Sequence, residues 1–306
     1  MPYNYEKLIS EQFNEFQNAL ELINHRRSTV DVYLSSVSEC AQWLHDQFNI
    51  SIEDASVSNL RAFLLHLYTP VSEGGRGLMP RTVNVYNCAI KKYFAYVVRK
   101  ELTRWDLPTM RIDHKLPHVP SRKDTATLIM GTTNPKHRIL LMVAYGCALR
   151  LGEVVSLRFS DISFSQNVIV IRAENSKNRC EETVDLPANL KDALLKYFYA
   201  CCRGASPEDW LFPGQKPGTH ICKGTAERIL HKRIGELGWE SRGYTFHSLR
   251  HAHALHYYLA GADIYQVQIR LRHNGITATI IYIRLAGKLR ERRDIANPFD
   301  DPAFKS

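Results

Sequence analysis

The stretch that decides the fold begins with His247-Ser-Leu-Arg250 and ends with His273-Asn-Gly-Ile-Thr-Ala-Thr-Ile-Ile-Tyr282. The first segment opens a predicted helix, and the second segment follows that helix. Together with Arg150 far upstream, they place arginine, histidine, arginine, histidine and tyrosine in a fixed order along the chain. These are the groups needed to attack a phosphodiester without a metal ion.

The chemistry of phosphodiester attack explains why these residue types are required. The pentacoordinate state gathers negative charge on two non-bridging oxygens, and guanidinium groups stabilise that charge through bidentate hydrogen bonds. Arg150 and Arg250 fit this role. A tyrosine hydroxyl has an ordinary pKa of about 10, so its attack near neutral pH needs a base or a cationic pocket. His247 or His273 could supply the base or complete the cationic pocket. Tyr282 is therefore the predicted nucleophile.

These segments resemble the motifs of the tyrosine recombinase (phage integrase) family, and the resemblance covers most of the chain. The matching segments are Ala148-Leu-Arg150-Leu-Gly-Glu153-Val-Val-Ser-Leu157 for the first arginine motif, His247-Ser-Leu-Arg250-His251 for the His-x-x-Arg motif, and Leu271-Arg-His273 for the Leu-Gly-His motif. Tyr282 falls where the family has its nucleophile. Arg272 replaces the usual glycine, and Ala252 stands where a small hydroxylated residue is common.

The resemblance also implies a lysine on a β-hairpin that acts as general acid toward the leaving 5′ oxygen. Residues 167–172 predict a strand, residues 173–178 a turn and residues 183–186 the returning strand. Lys177 in this turn is the candidate, and Arg179 is the second choice. A solvated surface charge is the alternative interpretation of Lys177.

Each motif also has a simpler interpretation. Arg150 could be a structural arginine paired with Glu153, which lies three residues on along a helix. His247 and His251 are four residues apart and could suggest a metal site, but no glutamate or third ligand is spaced to complete one. We therefore expect neither a metal nor another cofactor. Tyr257, Tyr258 and Tyr265 are alternative nucleophiles in principle. Aromatic residues at helical spacing are, however, usually core residues.

Composition agrees with a nucleic-acid partner. The chain has 306 residues, enough for two domains, and a formal net charge of +9 that suits a polyanion. Its seven cysteines form no Cys-x-x-Cys pair, which favours reduced thiols and a cytoplasmic, DNA-associated location. The longest apolar run, residues 139–149, is too short to span a bilayer, so no membrane association is expected.

The predicted fold class is mainly α with a small antiparallel β-sheet, arranged as a two-domain clamp. Residues 1–110 are predicted as a helical core DNA-binding domain, residues 111–123 as a linker, and residues 124–306 as a mixed α/β catalytic domain with a C-terminal tail. The predicted helices of the first domain are Tyr5 to Ile23, Ser28 to Phe48 with Ser28 and Asp31 as a capping pair, Ser58 to Tyr68, and Pro80 to Val98.

The resemblance implies a site-specific recombinase that cuts and rejoins double-stranded DNA through a 3′-phosphotyrosyl intermediate. It further implies four identical protomers on DNA, possibly with a dimer at each site, strand exchange through a Holliday junction, and possible accessory proteins. The alternatives are a type IB topoisomerase-like or telomere-resolving enzyme, a non-cleaving sequence-specific DNA-binding protein of the same fold, and a metal-dependent nuclease. The tail, with Phe299 and Phe304, is expected to dock on a neighbouring protomer or on its own catalytic domain.

Overall fold

The computed structural model describes residues 5–113, 116–176 and 179–288. The chain divides into two compact units, Met1–His114 and Lys115–Ser306. The division falls inside the range 111–123 for which the sequence predicts a linker. The DNA-binding role of the first unit stays a prediction.

Amphipathic helices build the N-terminal unit, and their apolar faces form its core. Buried residues of this core include Phe16, Leu44, Phe63 and Ile90. The helices are α1 (Tyr5–Leu22), α2 (Arg27–Phe48), α3 (Val57–Tyr68) and α4 (Pro80–Tyr93), the last continued by a π-helical turn over Phe94–Val98.

Local sequence explains where two of these helices begin, and it corrects one expectation. The Ser56 side chain accepts a hydrogen bond from the backbone N–H of Asn59 and so caps α3. Pro80 occupies the first turn of α4, where its missing N–H costs nothing. The predicted Ser28 and Asp31 capping pair is wrong, because α2 begins earlier, at Arg27, without a side-chain cap. Asp31 instead pairs with Arg27 at 3.1 Å, one helical turn away.

The C-terminal unit consists of helices around a small sheet. Its strands β1 (Ile162–Ser163), β2 (Val168–Ile171) and β3 (Glu182–Asp185) are antiparallel in the order β1-β2-β3. The predicted hairpin of β2 and β3 is confirmed, with Val168 opposite Asp185 and Ile171 opposite Glu182. The helices are α5 (Arg122–Met130), α6 (Pro135–Gly146), α7 (Leu151–Val155), α8 (Ala188–Cys201), α9 (Lys223–Glu236), α10 (Phe246–Leu259), α11 (Ile264–Leu271) and α12 (Ile281–Lys288).

The apolar run of residues 139–149 forms most of α6, which is the central helix of this unit. Leu140, Leu141 and Val143 are fully buried, and α6 packs against both α8 and α10. Among the described residues, the structure contains no helix long and apolar enough to cross a membrane. The chain leaves α6 through Ala148, whose φ of 51° is left-handed, and this turn delivers Arg150 to the start of α7.

A second apolar cluster holds the C-terminal helices together. Ala254, Leu255, Val267, Leu271 and Tyr282 are buried in it. Because α10, α11 and α12 each contribute residues, this cluster fixes the three helices that carry most of the candidate catalytic side chains.

Candidate active site

The structure describes five of the six candidate catalytic residues, and all five lie in the C-terminal unit. Arg150 immediately precedes α7, His247 and Arg250 lie on α10, His273 follows α11 and Tyr282 lies on α12. Lys177 lies outside the described residues. Arg179, the second choice for the general acid, follows it in a left-handed conformation with φ of 56°.

Arg250 joins three of the sequence motifs. Its side chain is buried, with 1% of the residue exposed, and it donates hydrogen bonds to the carbonyl oxygens of Ala148, at 2.6 Å, and of Leu271. These carbonyls lie two residues before Arg150 and two before His273. Burial, with the neighbouring charge of Arg150, lowers the pKa of Arg250 to about 9, so the group remains a cation at neutral pH.

Arg150 is held by Glu153. Its Nη1 donates to one carboxylate oxygen of Glu153 at 2.8 Å, and its backbone N–H donates to the other at 2.7 Å. The ion pair suggested by the simpler interpretation therefore forms. The pairing does not exclude a phosphate role, because 23% of the Arg150 side chain stays exposed while only 1% of the Glu153 side chain does.

A second arginine shares the same carboxylate. Arg272 has the left-handed φ of 53° that explains why glycine is usual at this position, and only 7% of its side chain is exposed. It forms ion pairs with Glu153 and, at 3.3 Å, with Glu182 on β3. Glu182 in turn accepts a hydrogen bond from the Ser176 hydroxyl at 3.0 Å. A continuous network of ion pairs and hydrogen bonds thus runs from Arg150 through Glu153 and Arg272 to the β2–β3 hairpin.

The charges of this network set the ionisation of Glu153. Burial raises the pKa of Glu153. The charge of Arg272 and the hydrogen bonds from Arg150 lower the pKa by more than burial raises it, so the pKa of Glu153 lies below its ordinary value. Glu153 is therefore an anion at neutral pH and fixes both arginine side chains.

The Tyr282 hydroxyl meets a histidine that was not among the candidates. It lies 2.9 Å from Nδ1 of His251, and Tyr282 is 1% exposed. Burial raises the pKa of Tyr282 to about 12, although the charge of Arg250 opposes the shift. Burial lowers the pKa of His251 to about 3, helped by the nearby positive groups. At neutral pH the hydrogen bond therefore joins a protonated tyrosine and a neutral imidazole.

The two predicted histidines surround this pair. The His247 ring packs edge-on against the His251 ring with centroids 4.5 Å apart. Partial removal of the His247 ring from water lowers its pKa, although the residue stays exposed, and the charges of Arg250 and Arg150 lower it further. Nδ1 of His273 lies 2.9 Å from the hydroxyl of Thr279, which is fully buried. The described site can thus offer guanidinium groups, neutral imidazoles and one tyrosine hydroxyl to a phosphodiester.

Comparison with known proteins assigns the family. The family model described as "Phage integrase family" matches residues 122–288, more than half of the chain. The chain belongs to the phage integrase family. It is 30% identical over 210 residues to a putative integrase/recombinase of Sinorhizobium fredii, covering 68% of this chain and 66% of that protein. It is 28% identical to the tyrosine recombinase XerD of Pseudomonas putida, covering 83% of this chain and 85% of that protein.

Solved structures of the phage integrase family share the fold. The XerH site-specific recombinase bound to a palindromic difH substrate superposes with a TM-score of 0.68 at 19% identity, covering 86% of this chain and 78% of that one. The predicted fold class, mainly α with a small antiparallel sheet, is confirmed.

Two expectations about this phage integrase family member need revision. Tyr265 was expected in the core but is 68% exposed on α11, and Tyr257 is 38% exposed. For His251, the partner of Tyr282, the sequence alone suggests only a metal-ligand role. The signal that could have identified it is its position four residues after His247, which places both rings on one face of α10.

Proposed function

We propose that this enzyme, a tyrosine-type site-specific recombinase, cuts and rejoins DNA strands with Tyr282 as its nucleophile. The observation that carries the proposal is the convergence of the motifs around Arg250. This one guanidinium contacts the carbonyls of Ala148 and Leu271, close to Arg150 and His273, while Tyr282 lies on the helix packed against α10.

The reaction follows from the positions of these groups. The oxygen of Tyr282 attacks the scissile phosphorus as the bond to the 5′ oxygen breaks, which leaves a 3′-phosphotyrosyl link and a free 5′ hydroxyl. Arg150 and Arg250 stabilise the charge on the non-bridging oxygens. Lys177 gives a proton to the leaving oxygen. Attack by a 5′ hydroxyl of another strand reverses the chemistry, and since the bond energy is kept in the link, no ATP is needed.

The resting conformation holds this nucleophile out of reach. Because only 1% of Tyr282 is exposed, a phosphodiester reaches its hydroxyl only after the elements that cover the Tyr282–His251 pair shift. DNA binding therefore supplies the change that exposes Tyr282.

The partner is double-stranded DNA, and four protomers assemble on it, with a dimer at each site and exchange through a Holliday junction. Support comes from relatives that include a XerH site-specific recombinase solved bound to its difH substrate. Accessory proteins and a cytoplasmic, DNA-associated location complete the proposal. Topoisomerase-like, telomere-resolving and non-cleaving functions are not favoured, because the curated relatives include several named tyrosine recombinases.

The test uses duplex DNA with a nick that traps the covalent intermediate, in buffer containing EDTA. Tyr282→Phe deletes the attacking oxygen and is expected to abolish the protein–DNA adduct while leaving the gel shift of the same duplex unchanged. Tyr265→Phe, on the exposed face of α11, is the matched control and should form the adduct normally. An adduct at wild-type yield in Tyr282→Phe, or one mapped to another tyrosine, contradicts the assignment.

A further inference from the structure

We propose that His251 accepts the proton of Tyr282 as the tyrosine attacks DNA and returns that proton when the strand is resealed. This inference rests on the proposed function, in which Tyr282 is the nucleophile. It adds to the site a residue for which the sequence alone suggests only a possible metal-ligand role.

The geometry of the pair is that of a nucleophile and its base. Nδ1 of His251 lies 2.9 Å from the Tyr282 oxygen, inside the range of about 2.6–3.2 Å expected for direct proton transfer. Two other rings contact the His251 ring. The His247 ring packs edge-on against it, and the Tyr282 ring lies with its centroid 5.8 Å away.

The protonation states also fit. The pKa of His251 in the absence of DNA is low, so its imidazole is neutral at neutral pH. A protonated tyrosine and a neutral imidazole can share this hydrogen bond in either direction, and in the proposed mechanism the imidazole proton lies on Nε2. In that tautomer Nδ1 carries a free electron pair, accepts the hydrogen bond from the Tyr282 hydroxyl and can take up its proton.

DNA changes the electrostatics in the direction that proton transfer needs. The ionisable groups facing His251 are His247 and Arg250 on its own helix, His273 after α11 and Tyr282 on α12, and the first three lower its pKa. An anionic phosphodiester entering this cluster offsets the positive charge of Arg250 and raises the proton affinity of the His251 imidazole. At the same time the forming bond to phosphorus acidifies the tyrosine hydroxyl.

The step balances. The Tyr282 oxygen forms its bond to phosphorus, the bond from phosphorus to the 5′ oxygen breaks, and the phenolic proton moves to Nδ1 of His251. The leaving oxygen takes its proton from a separate acid. During resealing the imidazolium protonates the departing Tyr282 oxygen and becomes neutral again.

The two histidines first considered for this role have other contacts. His273 places Nδ1 against the buried Thr279 hydroxyl, and His247 packs against His251 through its ring.

A competing explanation for the His251 contact is a latch that only keeps Tyr282 buried without DNA. The two explanations predict opposite signs when His251 is replaced, because loss of a base slows attack whereas loss of a latch speeds it.

The experiment measures single-turnover adduct formation on the nicked duplex from pH 6 to 9. His251→Gln keeps a hydrogen-bond acceptor but cannot take a proton, and His251→Phe keeps the ring. Both are expected to form the adduct about 10²–10⁴-fold more slowly, with unchanged DNA binding and melting temperature. Their rates should rise about tenfold per pH unit, because attack then needs the tyrosinate form, whereas the wild-type rate should depend less steeply on pH.

The control variant is His253→Gln on the same helix. His253 is also a half-buried neutral histidine, but its Nε2 accepts a hydrogen bond from Arg270 at 3.3 Å. Its adduct rate and pH profile should match those of the wild type.

Each other outcome overturns the inference. Equal or faster attack by His251→Gln identifies a latch, and slower attack with the wild-type pH profile identifies a structural role. Where His251→Gln lowers the melting temperature, His251→Phe supplies the same comparison. Tyr282→Phe is measured in parallel: an adduct in that variant overturns the proposed nucleophile as well, whereas its absence confines the failure to His251.

Discussion

Replacing Arg272 with glycine tests whether the charged network around Glu153 stabilises the fold. The substitution restores the residue usual in the family and removes two ion pairs, one of them with a carboxylate that is only 1% exposed. Removing one partner of a buried ion pair typically costs about 3–5 kcal/mol. The cost here is expected at the lower end, because Glu153 keeps its two hydrogen bonds from Arg150.

The glycine also relieves backbone strain. Arg272 has a φ of 53°, and a left-handed residue with a side chain costs about 1–2 kcal/mol. The expected net loss for Arg272→Gly is therefore about 2 kcal/mol of unfolding free energy, measured by urea denaturation. Arg272→Ala loses the same ion pairs but keeps the strain, so it should be less stable than the glycine variant by about 1 kcal/mol.

The matched control is Arg270→Ala, in the last turn of α11 and two residues before Arg272. Arg270 pairs with Asp185, whose side chain is 81% exposed, and such a pair contributes at most about 1 kcal/mol. If Arg272→Gly is as stable as the wild type, or if Arg270→Ala is the more damaging change, the buried network does not stabilise the protein as argued.

Arg272→Gly should also change the pH at which the protein unfolds in acid. Because the pKa of Glu153 lies below its ordinary value in the folded protein, its ion pairs stabilise the fold at neutral pH. The pKa of a glutamate in the unfolded chain is about 4.3. The stabilisation is lost as the pH falls below that value and through the lower pKa of Glu153 in the folded protein. Without Arg272 the folded pKa moves up toward the unfolded value, so acid unfolding of the variant should begin at a higher pH than in the wild type.

Two further predictions concern the chemistry and the tail. Arg150→Ala and Arg250→Ala should each slow single-turnover cleavage by about a hundredfold or more. Lys177→Ala should be rescued by a duplex in which sulfur replaces the 5′ leaving oxygen, because a thiolate leaves without a proton. Rescue of Arg179→Ala but not of Lys177→Ala on that duplex would assign the general acid to Arg179. Truncation after Ala296, in a segment outside the described residues, should leave binding to a half-site intact but remove cooperative assembly on the full site. Native gels and sedimentation measure both properties. Unchanged cooperativity would mean that the tail does not link protomers.

Much of the fold could be predicted because its signals are local. The β2–β3 hairpin matches the predicted strands to within one residue at each end, since its alternating apolar residues and polar turn are read over a few positions. The error at the start of α2 is also local. Arg27 extends the helix by a residue, so the predicted capping residue Ser28 lies inside it.

By itself, the sequence determined the family motifs, their order and the identity of the candidate nucleophile, because these depend only on residue type and spacing. The tertiary structure decided which groups meet. Tyr282 contacts His251, from which it is separated by 31 positions, and Arg272 contacts Glu153 across 119 positions. Such contacts depend on how α10, α11 and α12 pack around a shared apolar cluster and on how the turn at Ala148 places α7 beside it, and local propensity carries no information about that packing.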